Sequence, residues 1–151
     1  MPPAPTMVFP FQELSDAKGL MTFRPVIPLR PMSAPLGHSE RCLVDTGSPN
    51  TYVDWRLATL AGVDLSQAKK IPDPQEWSVG GMAAEELWGA TVAFMIPDGR
   101  HMIWLGDVPV VFVKEWLHPG FTVVLGTDGM SRLGLIVEAA AGNGQLTVVQ
   151  R

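Results

Sequence analysis

The residues whose types and order could do chemistry are Asp45, Thr46, Gly47 and Ser48. Leu43 and Val44 read as the end of a buried strand that delivers the acid to a tight turn. Gly47 lets the chain reverse there through conformations that other residues find costly. A carboxyl group held at such a turn is badly placed for mere solubility and well placed to exchange a proton. A second apolar run, Val123, Val124 and Leu125, ends at Gly126 and is followed by Asp128, Met130, Arg132 and Leu133. Other chemistries lack their residues. His38, His101 and His118 share no metal-ligand spacing with one another or with acids, so no metal site is expected. Ser48 has no identifiable histidine to activate it. The glycines lack the lysine and the strand-to-helix context of a phosphate loop. Asp128 reads as the cap of a short helix before Arg132.

Together, Leu-Val-Asp-Thr-Gly-Ser at 43–48 and Val-Val-Leu-Gly-Thr-Asp-Gly-Met-Ser-Arg-Leu-Gly at 123–134 resemble the paired motifs of the retropepsin-like aspartic proteases. The resemblance covers about residues 22 to 150, nearly the whole chain. It implies a mainly β domain, a closed or partly open barrel with one or two short helices, acting as an aspartic endopeptidase without a cofactor. In that chemistry a water is activated on one side while the scissile carbonyl is polarised on the other. Two adjacent carboxyls sharing one proton do both, because like charges a few Å apart do not both ionise cheaply. The pair titrates as a unit. This chain carries one Asp-Thr-Gly and shows no convincing internal repeat, so it supplies half of such a site. A homodimer with two Asp45 side chains on the two-fold axis is therefore expected.

The resemblance also distributes roles. Thr46 would bond across the dimer to the opposite turn, Gly47 would accept a hydrogen bond from the substrate main chain, and Ser48 would bond the outer carboxylate oxygen. Leu125 and Gly126 would be the motif partner beside that turn. A glycine-rich hairpin at Ser78, Val79, Gly80, Gly81 and Met82 occupies, in chain order, the place of the family's flap over an extended peptide. Trp77 would pack at its base. Retroviral members commonly carry an acid four places after the catalytic Asp and an Arg after the later Gly. Pro49 and Thr127 stand there instead, which points to a cellular or bacterial-type relative and leaves no unpaired buried charge. A catalytically weak or silent member, serving as a peptide-binding or dimerisation module, would carry the same turn. A small barrel with an accidental Asp-Thr-Gly need not dimerise.

At 151 residues the chain is most simply one domain. Charged residues make up 17%, against about 25% in average chains, which leaves apolar surface available for a subunit interface. A net charge of −4 with scattered basic residues argues against nucleic acid. The single cysteine, Cys42, excludes an internal disulfide and reads as a buried small side chain. No apolar run is long enough for a membrane helix and the N-terminus does not read as a secretory signal, so a cytoplasmic protein is the expectation.

Positioning elements follow from pattern. Residues 1–20, with four prolines before position 11, are expected to form an extended arm without regular ladders, and 21–151 the protease domain. Pro25 and Pro28 suggest an edge strand over 21–30. Ser39 to Asp45 is the strand leading to the turn, and Asp54 caps a short helix over 55–60 that stops at Gly62. Leu87–Ile96 and His101–Leu105 pair across Pro-Asp-Gly-Arg, Asp107 and Pro109 interrupt, and Val110–Val113 is a further strand. Ser131–Leu133 is read as helical, and a closing hairpin joins 135–139 to 145–149.

Overall fold

The structure, a computed structural model, describes residues 6–16, 18–79, 82–140 and 143–150. In chain order the strands are β1 (Thr6–Pro10), β2 (Gln12–Ser15), β3 (Met21–Arg24), β4 (Val26–Pro31), β5 (Glu40–Val44) and β6 (Thr51–Asp54). The short β7 (Lys69–Lys70), β8 (Ser78–Val79) and β9 (Met82–Ala83) precede the two longest, β10 (Leu87–Pro97) and β11 (Met102–Val113). After them come β12 (Val123–Leu125), the single-turn helix α1 (Thr127–Met130), β13 (Leu133–Ala140) and β14 (Asn143–Gln150).

Strands β11, β6, β12, β5, β4 and β10 are hydrogen-bonded in that order, and β10 pairs back to β11, which closes a six-strand barrel. Alternation sorts their side chains into two layers. Ile27, Leu29, Cys42, Val44, Val53, Phe94, Phe112, Val123 and Leu125 fill the interior. Their neighbours Val26, Leu43, Tyr52, Val111, Val113 and Val124 form a second apolar layer with Leu14 and Phe121. Both faces of the central strands are thus covered, which is why Leu43-Val44 and Val123-Val124-Leu125 read as unbroken apolar runs. A three-stranded sheet, β1-β14-β13, closes one side of the barrel through Met7, Leu146 and Val148. Among the described residues no helix is long and apolar enough to cross a membrane.

Several expectations are corrected. The segment read as an unpaired arm forms strands: β1 pairs antiparallel with β14, β2 with β3, and Met7 and Leu14 are buried. Within that segment's described residues the one proline, Pro10, ends β1 on the outer edge of its sheet, where a missing donor is harmless. Nor is β4 an edge strand. It pairs with β5 over Val26–Leu29 and with β10 at Arg30 and Pro31. The Met32 N–H reaches the Ala93 carbonyl on the β10 side. The two-residue period therefore aims the Pro28 nitrogen to that same side, where the pairing with β10 has already stopped at Arg30, and the Pro31 nitrogen to the β5 side, where β5 has ended. Prolines fall where the ladder has no use for a donor.

Strand β11 also runs through Asp107 and Pro109 without interruption. Both are exposed, and the irregularity is absorbed beside them by a bulge in which Gly106, at φ +81°, stands opposite Phe94. Helix α1 starts directly after Gly126, and Leu133 already belongs to β13. Asp54 caps its turn as expected, its carboxylate accepting the Arg56 N–H, but that turn is a 3-10 helix of three residues, Trp55–Leu57.

Candidate active site

The site is built where β5 and β12 run parallel, with Val44 opposite Leu125. The Asp45 N–H donates to the Leu125 carbonyl at 3.0 Å, and the Thr127 N–H donates to the Ser48 carbonyl at 2.8 Å. The two motif segments named from the sequence are thus bonded to each other through the main chain. Gly126 is where they cross. A Cβ there would run into the Asn50 carbonyl and stand 2.7 Å from the Ser48 carbonyl oxygen, so no larger residue fits.

A buttress missed by sequence reasoning holds the crossing together. Thr51, fully buried, donates its hydroxyl to Asp128 Oδ1 at 2.6 Å and accepts the Gly126 N–H at 3.1 Å. Asp128 also accepts the N–H groups of Gly129 at 2.7 Å and Thr51 at 3.3 Å. The expectation that Asp128 caps the helix is corrected: Gly126 is the N-cap, and the Asp128 carboxylate spans from α1 to the start of β6. This clamp lies beside the places where Pro49 and Thr127 leave no ion pair. A Thr and an Asp 77 residues apart carry no local pattern that would announce it.

Asp45 is half-buried, and its Oδ1 accepts the Gly47 N–H at 2.9 Å. A Cβ on Gly47 would come within 3.2 Å of that oxygen. Thr46 is exposed. The Ser48 side chain departs from expectation: its hydroxyl donates to the Asn50 carbonyl at 2.7 Å, not to the Asp45 carboxylate. The Asn50 carbonyl is packed against Gly126 and takes the nearest available donor.

Asp45 opens into a cavity of about 260 Å³ lined also by Arg24, Leu43, Tyr52, His118, Phe121 and Val124. His118 stacks on Phe121 with ring centroids 4.8 Å apart, and Trp116 meets both rings edge-on and donates its Nε1–H to the Phe121 carbonyl. The Arg24 guanidinium lies 5.7 Å from the Phe121 ring. Burial, and secondarily the Arg24 charge, hold the His118 pKa below its ordinary value. Sequence spacing gave His118 no ligand role and no link to Asp45. Only the long loop after β11 brings it back to Asp45.

Strands β8 and β9 form the expected hairpin, with Ser78 opposite Ala83 and Val79 opposite Met82. Gly80 and Gly81 lie outside the described residues. At its base Trp77 is partly buried against the layer that contains Leu43, Tyr52 and Val124, the same residues that line the cavity. Cys42 is fully buried and its thiol is pushed far up by desolvation, so it is inert packing. Among the described residues no three His, Cys, Asp or Glu side chains converge as a metal site.

No protein-family model and no curated protein matches the sequence. Among solved structures the chain is similar to a retropepsin-like aspartic protease from Rickettsia conorii, at 14% identity and a TM-score of 0.54 over 100% of both chains. Likeness at that identity speaks for the fold alone, and the fold of this chain is the retropepsin-like β barrel.

Proposed function

We propose that the chain is an aspartic endopeptidase that works as a homodimer, its Asp45 facing the Asp45 of a second copy. One observation carries the reading: the Asp-Thr-Gly turn and the Val-Val-Leu-Gly segment are bonded to each other at Gly126, with the Asp45 carboxyl left in an open cavity. Such an interlock is more than an acid at a surface turn requires. In the dimer one carboxyl takes a proton from the attacking water while the other, protonated, donates to the scissile carbonyl. Thr46, exposed beside the acid, is the residue to bond across the two-fold, and Gly47 offers its carbonyl to the substrate main chain. The hairpin of Ser78, Val79, Gly80 and Gly81 would cover an extended peptide, anchored by Trp77.

A catalytically silent peptide-binding or dimerisation module is the second reading. What favours it is the Ser48 hydroxyl, which is committed to Asn50 instead of the carboxylate. A peptide-library digest from acid to neutral pH, with Asp45→Asn as control, separates the two. Cleavage by the wild type that disappears in Asp45→Asn supports the protease. Binding of peptides without cleavage supports the module.

A further inference from the structure

A second, larger cavity of about 660 Å³ shares no lining residue with the Asp45 cavity and falls within the usual range of about 300–1,000 Å³ for small-molecule sites. It lies on the outer face of β4. Ile27 and Leu29 point into the barrel, so alternation turns Pro28 and Arg30 the other way, and both line this cavity.

Arg30 is the unusual member. Its side chain is only 7% exposed, and a guanidinium stays charged wherever it is placed. Among the described residues no carboxylate pairs with it. One Nη donates to the Ala34 carbonyl at 3.0 Å, the other lies 3.8 Å from the Met95 sulfur, and Nε–H has no partner. A buried cation with one nitrogen met by a carbonyl, one met only by a sulfur and its Nε–H unmet is costly unless an anion completes it.

The surroundings supply more positive charge and few free acids. Arg100 on the β10–β11 turn makes no ion pair among the described residues, and His38 and His101 also line the cavity. His38 is already paired with Glu40 at 2.8 Å. The one lining carboxylate, Asp98, accepts the N–H groups of Arg100 and His101 and lies 3.7 Å from the His101 ring. Val8, Phe9, Pro97 and Met102 complete the walls with apolar surface, Val8 and Met102 standing largely exposed.

We propose that this cavity is a binding site for a small amphiphilic oxyanion, a carboxylate or phosphate monoester bearing an apolar body, with Arg30 and Arg100 holding the anionic head. A planar guanidinium suits either head by two parallel hydrogen bonds. The site is independent of the protease reading, because it uses none of the same residues.

The test is titration of the isotopically labelled full chain with phenyl phosphate, hexanoate and inorganic phosphate, followed by backbone amide shifts. Saturable shifts at residues 29–30, 37–39 and 98–102 are expected from phenyl phosphate or hexanoate, and the tighter of the two identifies the head group. Arg30→Met and Arg100→Gln should each weaken that binding about tenfold or more. Arg100 is on an exposed turn, so its variant reads the site even if Arg30→Met fails to fold. Absence of saturable shifts up to about 10 mM, or affinity unchanged in Arg100→Gln, would overturn the proposal. Inorganic phosphate binding as tightly as either amphiphile would overturn it as well.

Discussion

Thr51 sits between the two motif segments, donating to Asp128 while accepting from Gly126. Thr51→Val keeps the shape but leaves the buried Gly126 N–H without its acceptor and takes one of three donors from the half-buried Asp128 carboxylate. Its expected effect is a loss of about 2 kcal/mol, read from urea denaturation midpoints. His118 gives a pH-dependent counterpart. Its pKa is lowered in the fold by burial and by Arg24, so as pH falls below the ordinary 6.5 the unfolded chain takes up the proton first. The contribution is absent at higher pH and destabilising on acidification, until the folded-state pKa is passed. His118→Gln should therefore flatten the fall in stability between about pH 7 and pH 5, measured by thermal melts across that window. Asp45 and its turn were legible because glycine and acid stand together at the end of an apolar run. Thr51, Asp128 and His118 were not, because their partners arrive from distant strands and loops. Ser48 was read in the right place with the wrong partner, since local sequence does not say which carbonyl most needs a donor.

The strands around the site were legible wherever burial alternates or fills both faces, as in β5, β10 and β12. Proline misled the reading three times. Pro10, Pro28 and Pro109 each lie inside or at the end of a paired strand. For Pro10 and Pro28 the topology accounts for it, because their nitrogens fall where no neighbour needs a donor, and a sequence does not disclose which side of a strand is paired. The consequence is sharpest for β1, which was read as an arm and instead covers the barrel. Met7 is 2% exposed and packs with Leu146 and Val148. Met7→Ala should cost about 3 kcal/mol in chemical denaturation, whereas a loose arm would show no change.

At the scale of the molecule, closure of the barrel by β10 on β11 leaves the Asp45 turn fixed on strands that are covered on both faces. The mainly β class followed from period, and the barrel from the resemblance of the paired motifs. The closure itself did not, since it depends on which distant strands meet. One chain offers one acid, and the central claim is that a second copy supplies the other. The most direct measurement mixes wild-type protein with increasing amounts of Asp45→Asn, allows subunits to exchange, and follows peptide cleavage at constant total protein. Shared carboxyls predict activity falling as the square of the wild-type fraction. A linear fall, or cleavage by Asp45→Asn alone, would contradict the account.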